Sequence, residues 1–137
     1  MRHAVLDTNI LVSALMRPDG PPGRVMAAVK LGELLPVFSA AILAEYDAVL
    51  RRPRLQLDPQ KVAAALDHIR TVGTVVPGAS PPPPANLPDV ADWPFIACAL
   101  AAGCPVVTGN VKHFPPRLGM RVMTAREWVE AVGSASV

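Results

Sequence analysis

The stretch VLDTNILVSAL, Val5 to Leu15, is apolar at most positions yet carries a carboxylate, Asp7, followed at once by Thr8 and Asn9. Upstream, His3 to Leu6 is a short aliphatic run that stops at the acid, which predicts a buried β-strand. Downstream, Asn9 to Met16 is long enough for two helical turns, and RPDGPPG, Arg17 to Gly23, reads as a loop. A buried strand that ends in an acid and leads straight into a helix is the opening of an α/β fold.

The rest of the chain repeats that alternation. Arg24 to Leu31 predicts a helix closed by Gly32, and Leu34 to Phe38 a strand, with Ser39 as N-cap of the next helix. There Ile42, Leu43, Tyr46, Val49 and Leu50 share one face, and Pro53 forbids continuation. Asp58-Pro59 is a cap followed by proline at the first helical position. Val62, Leu66 and Ile69 form a narrower stripe closed by Gly73, and Thr74 to Val76 is a short strand. After a proline block come a helix from Asp92 to Ala102, a strand at Val106-Val107 and another near Arg121 to Met123. Thr124 and Glu127 form a capping box for the last helix. Continuously apolar strands alternating with helices, without hairpin signals, predict a three-layer α/β/α sandwich. Its sheet should be mostly parallel, with about four to five strands.

Composition sets the outer bounds. A chain of 137 residues with 51% hydrophobic and 18% charged side chains can fill one core. We therefore expect one domain over residues 1–137. Many of the 16 prolines fall in PGASPPPPANLPD, a polyproline-like connector at about 77–89 inside that domain. A net charge of +2 permits a phosphate-bearing partner without demanding one. Cys98 and Cys104 lack CxxC spacing and read as reduced core thiols. The apolar run FIACALAAGCPVV, broken by Gly103 and Pro105, is shorter than the ~20 residues of a membrane span. A cytoplasmic protein without membrane association is the expectation.

In open α/β sheets ligands bind beyond the carboxyl ends of the strands. Asp7 stands at one such end and Thr108-Gly109-Asn110 at another. Asp92 lies at a helix start, and Glu45 lies on the edge of its helix's apolar face, about 100° from the stripe. Each acid also has a simpler reading. Asp7, Asp89 and Asp92 are suited to helix caps, and Glu45 to a solvated edge. No single acid decides; the set of positions does.

That set resembles a known family. VLDTNILVSAL, AAILAEYDAVLRRP, LPDVADWPFIACALAAGCPVVTGN and KHFP, in this order, are similar to the PIN-domain ribonucleases. Within them the resemblance is to the VapC-like group, the toxin components of toxin–antitoxin systems. It runs through essentially the whole chain, and the DTN opening with the later acids makes it specific. The resemblance implies catalytic and metal-binding acids at Asp7, Glu45 and Asp92, with Asp89 a nearby acid that some members use. A fourth position, Asp in many members, is Asn110 here. Thr8, Asn9, Ser13 and Thr108 match the hydroxyl and amide groups that surround the first acid. The implied cofactor is Mg²⁺ or Mn²⁺, as one or two ions. The implied partners are an RNA substrate, a small antitoxin protein and, in a homodimer, a second copy.

The chemistry accounts for these residue types. Phosphodiester hydrolysis needs an activated water and neutralised phosphoryl oxygens, which carboxylate-held divalent ions supply. Two carboxylates 4 Å apart repel by roughly 4 kcal/mol at an effective dielectric of 20, so such a cluster calls for a cation. Arg51, Arg52 and Arg54, and Lys112, His113 and Arg117, are candidate contacts to an RNA backbone, or simply solvated charge. Two rivals stand beside the endoribonuclease. One is a PIN-like module that binds RNA or protein without cutting, a reading Asn110 favours because an amide removes one ligand charge. The other is an Asp-based phosphotransfer domain. It is opposed by Asn9, where an aspartyl phosphatase would need a second Asp, and by the lack of a receiver-type acidic pair.

Overall fold

The computed structural model describes residues 2–135, excepting the side chains of Arg117 and 133–135. Five strands form one parallel sheet in the order β3-β2-β1-β4-β5. They are β1 (His3–Leu6), β2 (Leu35–Phe38), β3 (Thr74–Val75), β4 (Val106–Val107) and β5 (Val122–Met123). The six helices are α1 (Thr8–Met16), α2 (Pro21–Lys30), α3 (Ala40–Leu50), α4 (Pro59–Val72), α5 (Trp93–Ala102) and α6 (Ala125–Ala135). The arrangement is the expected α/β sandwich, with the sheet parallel throughout.

β1 occupies the centre because Ala4, Val5 and Leu6 are wholly buried, as suits a strand covered on both faces. α5 covers β1, β2 and β4, and its Phe95, Ile96 and Ala99 are buried with Val106, Val107 and Phe114. α3 turns Ile42, Tyr46 and Leu50 inward, and α4 turns Val62, Leu66 and Ile69 inward. The local caps follow their residue chemistry. Ser39 accepts from the Ile42 amide and Asp58 from the Gln60 amide. Thr124 and Glu127 exchange two 3.0 Å bonds at the start of α6. Both cysteines are buried and free.

One boundary differs from the sequence reading by more than a residue. α2 starts at Pro21 rather than Arg24, so the PPG segment is its first turn and not a loop. Prolines fit there because the first amides of a helix have no intrahelical partner to lose. Before α5, Val90–Asp92 forms a 3-10 turn, and the α-helix begins at Trp93. The segment between β3 and that turn has neither helix nor strand, and the Trp93 indole nitrogen donates to Pro81 O at 2.6 Å, fastening it to α5. Among the described residues, no helix is long and apolar enough to cross a membrane.

Gly23, in the first turn of α2, lies against the backbone of the preceding turn. A Cβ there would stand 1.9 Å from the Pro18 carbonyl oxygen, and backbone cannot yield as a side chain can. Gly23→Ala should lower the unfolding free energy by about 1–3 kcal/mol, read as a lower urea midpoint. An unchanged midpoint would mean that α2 does not pack on the turn in this way.

Candidate active site

Sheet register brings the ends of β1 and β4 together. Leu6 pairs with Val107, and the Asp7 amide donates to Val107 O at 2.9 Å, so Asp7 and Thr108 leave the sheet side by side. From β1 the chain crosses to β2 on one side and later returns to β4 on the other. In open α/β sheets ligand sites lie at such a reversal of strand order, beyond the carboxyl edge.

Asp7 is 6% exposed, and both of its carboxylate oxygens accept hydrogen bonds. Oδ1 accepts the Thr8 amide at 2.8 Å; Oδ2 accepts the Thr108 hydroxyl at 2.7 Å and the Asn9 side-chain amide at 3.2 Å. Asn9 in turn accepts from the Gly109 amide at 3.2 Å, and Thr108 Oγ1 accepts from the Asn110 amide at 2.9 Å. Burial raises the Asp7 pKa; bonds from Thr108 and Thr8 and the charge of His113 oppose the rise. Capping α1 and joining the acid cluster are thus compatible roles for one carboxylate.

Glu45 reaches the same place from α3. Half-buried, it accepts the Thr8 hydroxyl through Oε2, and Thr8 links it to Asp7. Its neighbour Tyr46 is buried against Phe95, with ring centroids 6.4 Å apart, and donates to the carbonyl of Leu6. Burial first, then the nearby Asp7, raises the Tyr46 hydroxyl well above its ordinary range and keeps it a neutral donor. Tyr46 was legible only as a core residue of the α3 stripe.

The acids near α5 divide their work. Asp89 caps the 3-10 turn through the Ala91 amide at 2.9 Å, whereas Asp92 makes no capping bond. The Asp92 side chain, 16% exposed, has His113 Nδ1 3.2 Å from its Oδ2. Burial first, then the charges of Asp7 and Asp89, push the Asp92 carboxyl up to about 6, with His113 pulling it down. One donor atom each from Asp89, Asp92 and His113 lie within 4.8 Å of one another, so the group could hold a metal ion. The contact between His113 and Asp92 had no signal in the sequence, because it joins two loops of irregular backbone.

The remaining candidates lie further out. Ser13 is exposed on α1, one turn beyond Asn9, and Asn110 is exposed with its side chain capping nothing. Lys112 is exposed in the 3-10 turn Val111–His113. Arg51 pairs with Asp47 at 2.8 Å, and it and exposed Arg52 lie about 9 Å or more past Glu45 along the α3 axis. The Arg117 side chain is outside the described set. A cavity of about 670 Å³, beside the amino ends of β1, β4 and β5, is lined by Arg2, His3, Arg121 and Trp128 and includes none of the acids.

A family model described as PIN domain matches residues 3–112. No curated protein matches the chain. Among solved structures, VapBC2 from Rickettsia felis, bound to a DNA fragment from their promoter, superposes with a TM-score of 0.59 at 17% identity, covering 89% of this chain and 98% of that one. VapBC-1 from nontypeable Haemophilus influenzae gives 0.56 at 17% identity, covering 90% and 98%. At such identity the likeness is one of fold.

Asp92 generates a testable pH dependence. Its ordinary value is 3.8 and its folded value about 6, so between them the native state binds more protons than the unfolded chain. Stability contributed by the neutral carboxyl is therefore present near pH 4 and lost as pH rises through about 6. In metal-free protein, Tm should fall more steeply over this window for wild type than for Asp92→Asn. Parallel curves would show that Asp92 is not held neutral by its surroundings.

Proposed function

The chain belongs to the PIN domain family, and on that premise we propose that it is a metal-dependent endoribonuclease acting on single-stranded RNA, the toxin of a toxin–antitoxin pair. What supports this reading is that Asp7 and Glu45, joined through Thr8, lie near enough to Asp92 for the charges of Asp7 and Asp89 to oppose its ionisation, with Asp89, Asp92 and His113 grouped beside them. Acids drawn from three separate segments, two of them with raised pKa, are what a cation site requires and what capping alone does not explain.

The donor set suits Mg²⁺ or Mn²⁺. It is rich in carboxylate oxygen and free of thiolate, and both shifted carboxyls would ionise beside a cation. Asp7, Asp92, Asp89 and Glu45 would hold the ion, with the Asn110 amide a further oxygen donor. One or two such ions, when bound, lower the pKa of water and offset charge on the phosphoryl oxygens. The chain's own residues do the positioning. Thr8, Asn9 and Thr108 fix the Asp7 carboxylate by three bonds, and Thr8 ties Glu45 to it. Lys112, two residues beyond Asn110, offers a cation to a phosphate next to the site, and Arg52 one further out; Arg51 would first have to release Asp47.

Both superposing structures are VapBC assemblies, which supports a small antitoxin as partner. An apolar groove of about 600 Å³ between α1, α2 and α4, lined by Leu11, Leu15 and Met26 and rimmed by Lys30 and Lys61, is a surface for it. The second reading, a module that binds RNA without cutting, rests on Asn110, which removes one ligand charge.

Cleavage of labelled single-stranded RNA separates the two. Wild type should cut with Mn²⁺ or Mg²⁺ and stop in EDTA. Asp7→Asn and the less buried Asp92→Asn should each lose roughly a hundredfold or more, since even outer-shell changes at metal sites cost 10–100-fold. RNA held equally well in chelator and by Asp7→Asn, without cutting, would establish the binding module instead.

A further inference from the structure

We infer that His113 is a nitrogen ligand of the divalent ion in this site and shifts its preference from Mg²⁺ toward Mn²⁺, an inference that rests on the metal-dependent reading above. His113 Nδ1 and Asp92 Oδ2 are 3.2 Å apart. Two donors bound side by side to one ion, each about 2.1 Å from it, stand about 3 Å apart. The pair already has the spacing of one edge of an octahedral shell. A proton shared between nitrogen and oxygen closes that edge in the metal-free protein, and a cation can replace it. The nearest oxygen of Asp89 completes a group spanning no more than 4.8 Å, against about 4 Å between opposite corners of such a shell.

Local structure holds the ring there. The His113 amide donates to Asn110 O at 2.9 Å, and the next residue, Phe114, is wholly buried, so the 3-10 turn is anchored immediately after the histidine. The ring itself is 43% exposed while Asp92 is 16% exposed, which leaves the pair open to solvent on the histidine side. The rest of the donor set makes a nitrogen ligand useful. Asp7 spends three acceptor positions on Thr8, Asn9 and Thr108. Asn110 carries no charge. With fewer anionic oxygens free, a neutral imidazole adds binding strength without repulsion from Asp7 and Asp89. Mn²⁺ shares the oxygen preference of Mg²⁺, but as the first member of the transition series it accepts an imidazole nitrogen more readily than Mg²⁺ does.

The test uses the full chain, freed of metal and loaded with Mn²⁺ alone, with pulsed electron paramagnetic resonance to detect directly bound nitrogen. Wild type should show an imidazole ¹⁴N coupling that is replaced by ¹⁵N when histidine is isotopically labelled. His113→Gln should bind Mn²⁺ without that coupling, with the Mn²⁺ dissociation constant raised roughly tenfold and that for Mg²⁺ changed much less. Bound Mn²⁺ with no nitrogen coupling in wild type overturns the inference and leaves the metal-dependent reading standing. Failure of wild type to bind Mn²⁺ at all overturns both. Because His3 starts β1 and His68 faces Val29 from α4, both away from the acids, the labelling experiment decides the matter without a substitution, even if the variant is unstable.

Discussion

One buried carboxylate, at the carboxyl end of the central strand, governs this molecule. Taking an ionised carboxylate out of water costs several kcal/mol even after relaxation. Each hydrogen bond to a charged group returns about 1.5–3 kcal/mol. Asp7 has three, from a backbone amide, a hydroxyl and a side-chain amide. The two effects are of similar size, and the raised pKa says that burial prevails. The donors keep the acid in place without satisfying its charge. The junction of β1, α1 and the loop after β4 is therefore held by a group that still favours a positive partner.

Topology explains why those three pieces meet. With β1 between β2 and β4, successive crossovers leave in opposite directions, and both flanking loops fall away from the ends of β1 and β4. The register of Leu6 with Val107 sets Asp7 opposite Thr108, a pair 101 residues apart in the chain. Tyr46 closes the arrangement from behind. Its hydroxyl takes the carbonyl of Leu6, the last strand residue before the acid, while its ring lies against Phe95 of α5. A slip of one residue in β1 would take Asp7 out of register with Thr108 and break the bond between them, so the site depends on the pairing of β1 with β4.

Features that depend on neighbouring residues were the ones legible in sequence. Ser39, Asp58 and the Thr124–Glu127 box sit one turn or less from the amides they cap. The alternation of strand and helix follows from periodicity in the same way. The start of α2 was misread because proline and glycine signal a loop in isolation, and only tertiary contact shows PPG forming a first turn packed against Pro18. At Asp89 and Asp92 the sequence left capping and ligation open for both. The structure divides them, giving the backbone bond to Asp89 and leaving the Asp92 oxygens to His113. That division depends on the path of two irregular loops, which no residue pattern encodes.

The acid cluster also couples fold to ligand. Asp7 raises the cost of ionising Asp92, and Asp7 is joined by hydrogen bonds to both the start of α1 and the loop after β4. Charge relieved at the site is therefore relief felt by the β1–α1–β4 junction itself. A cation that binds only the folded chain adds about 2.7 kcal/mol at a hundred times its dissociation constant. That is comparable to the repulsion of about 4 kcal/mol between two carboxylates 4 Å apart at an effective dielectric of 20. Below about pH 6 Asp92 carries a proton beside His113, and on the proposed metal-dependent reading a cation would take over that charge relief. The Asp92–His113 pair would thus let one backbone serve both charge states, and it sits where the core ends and solvent begins.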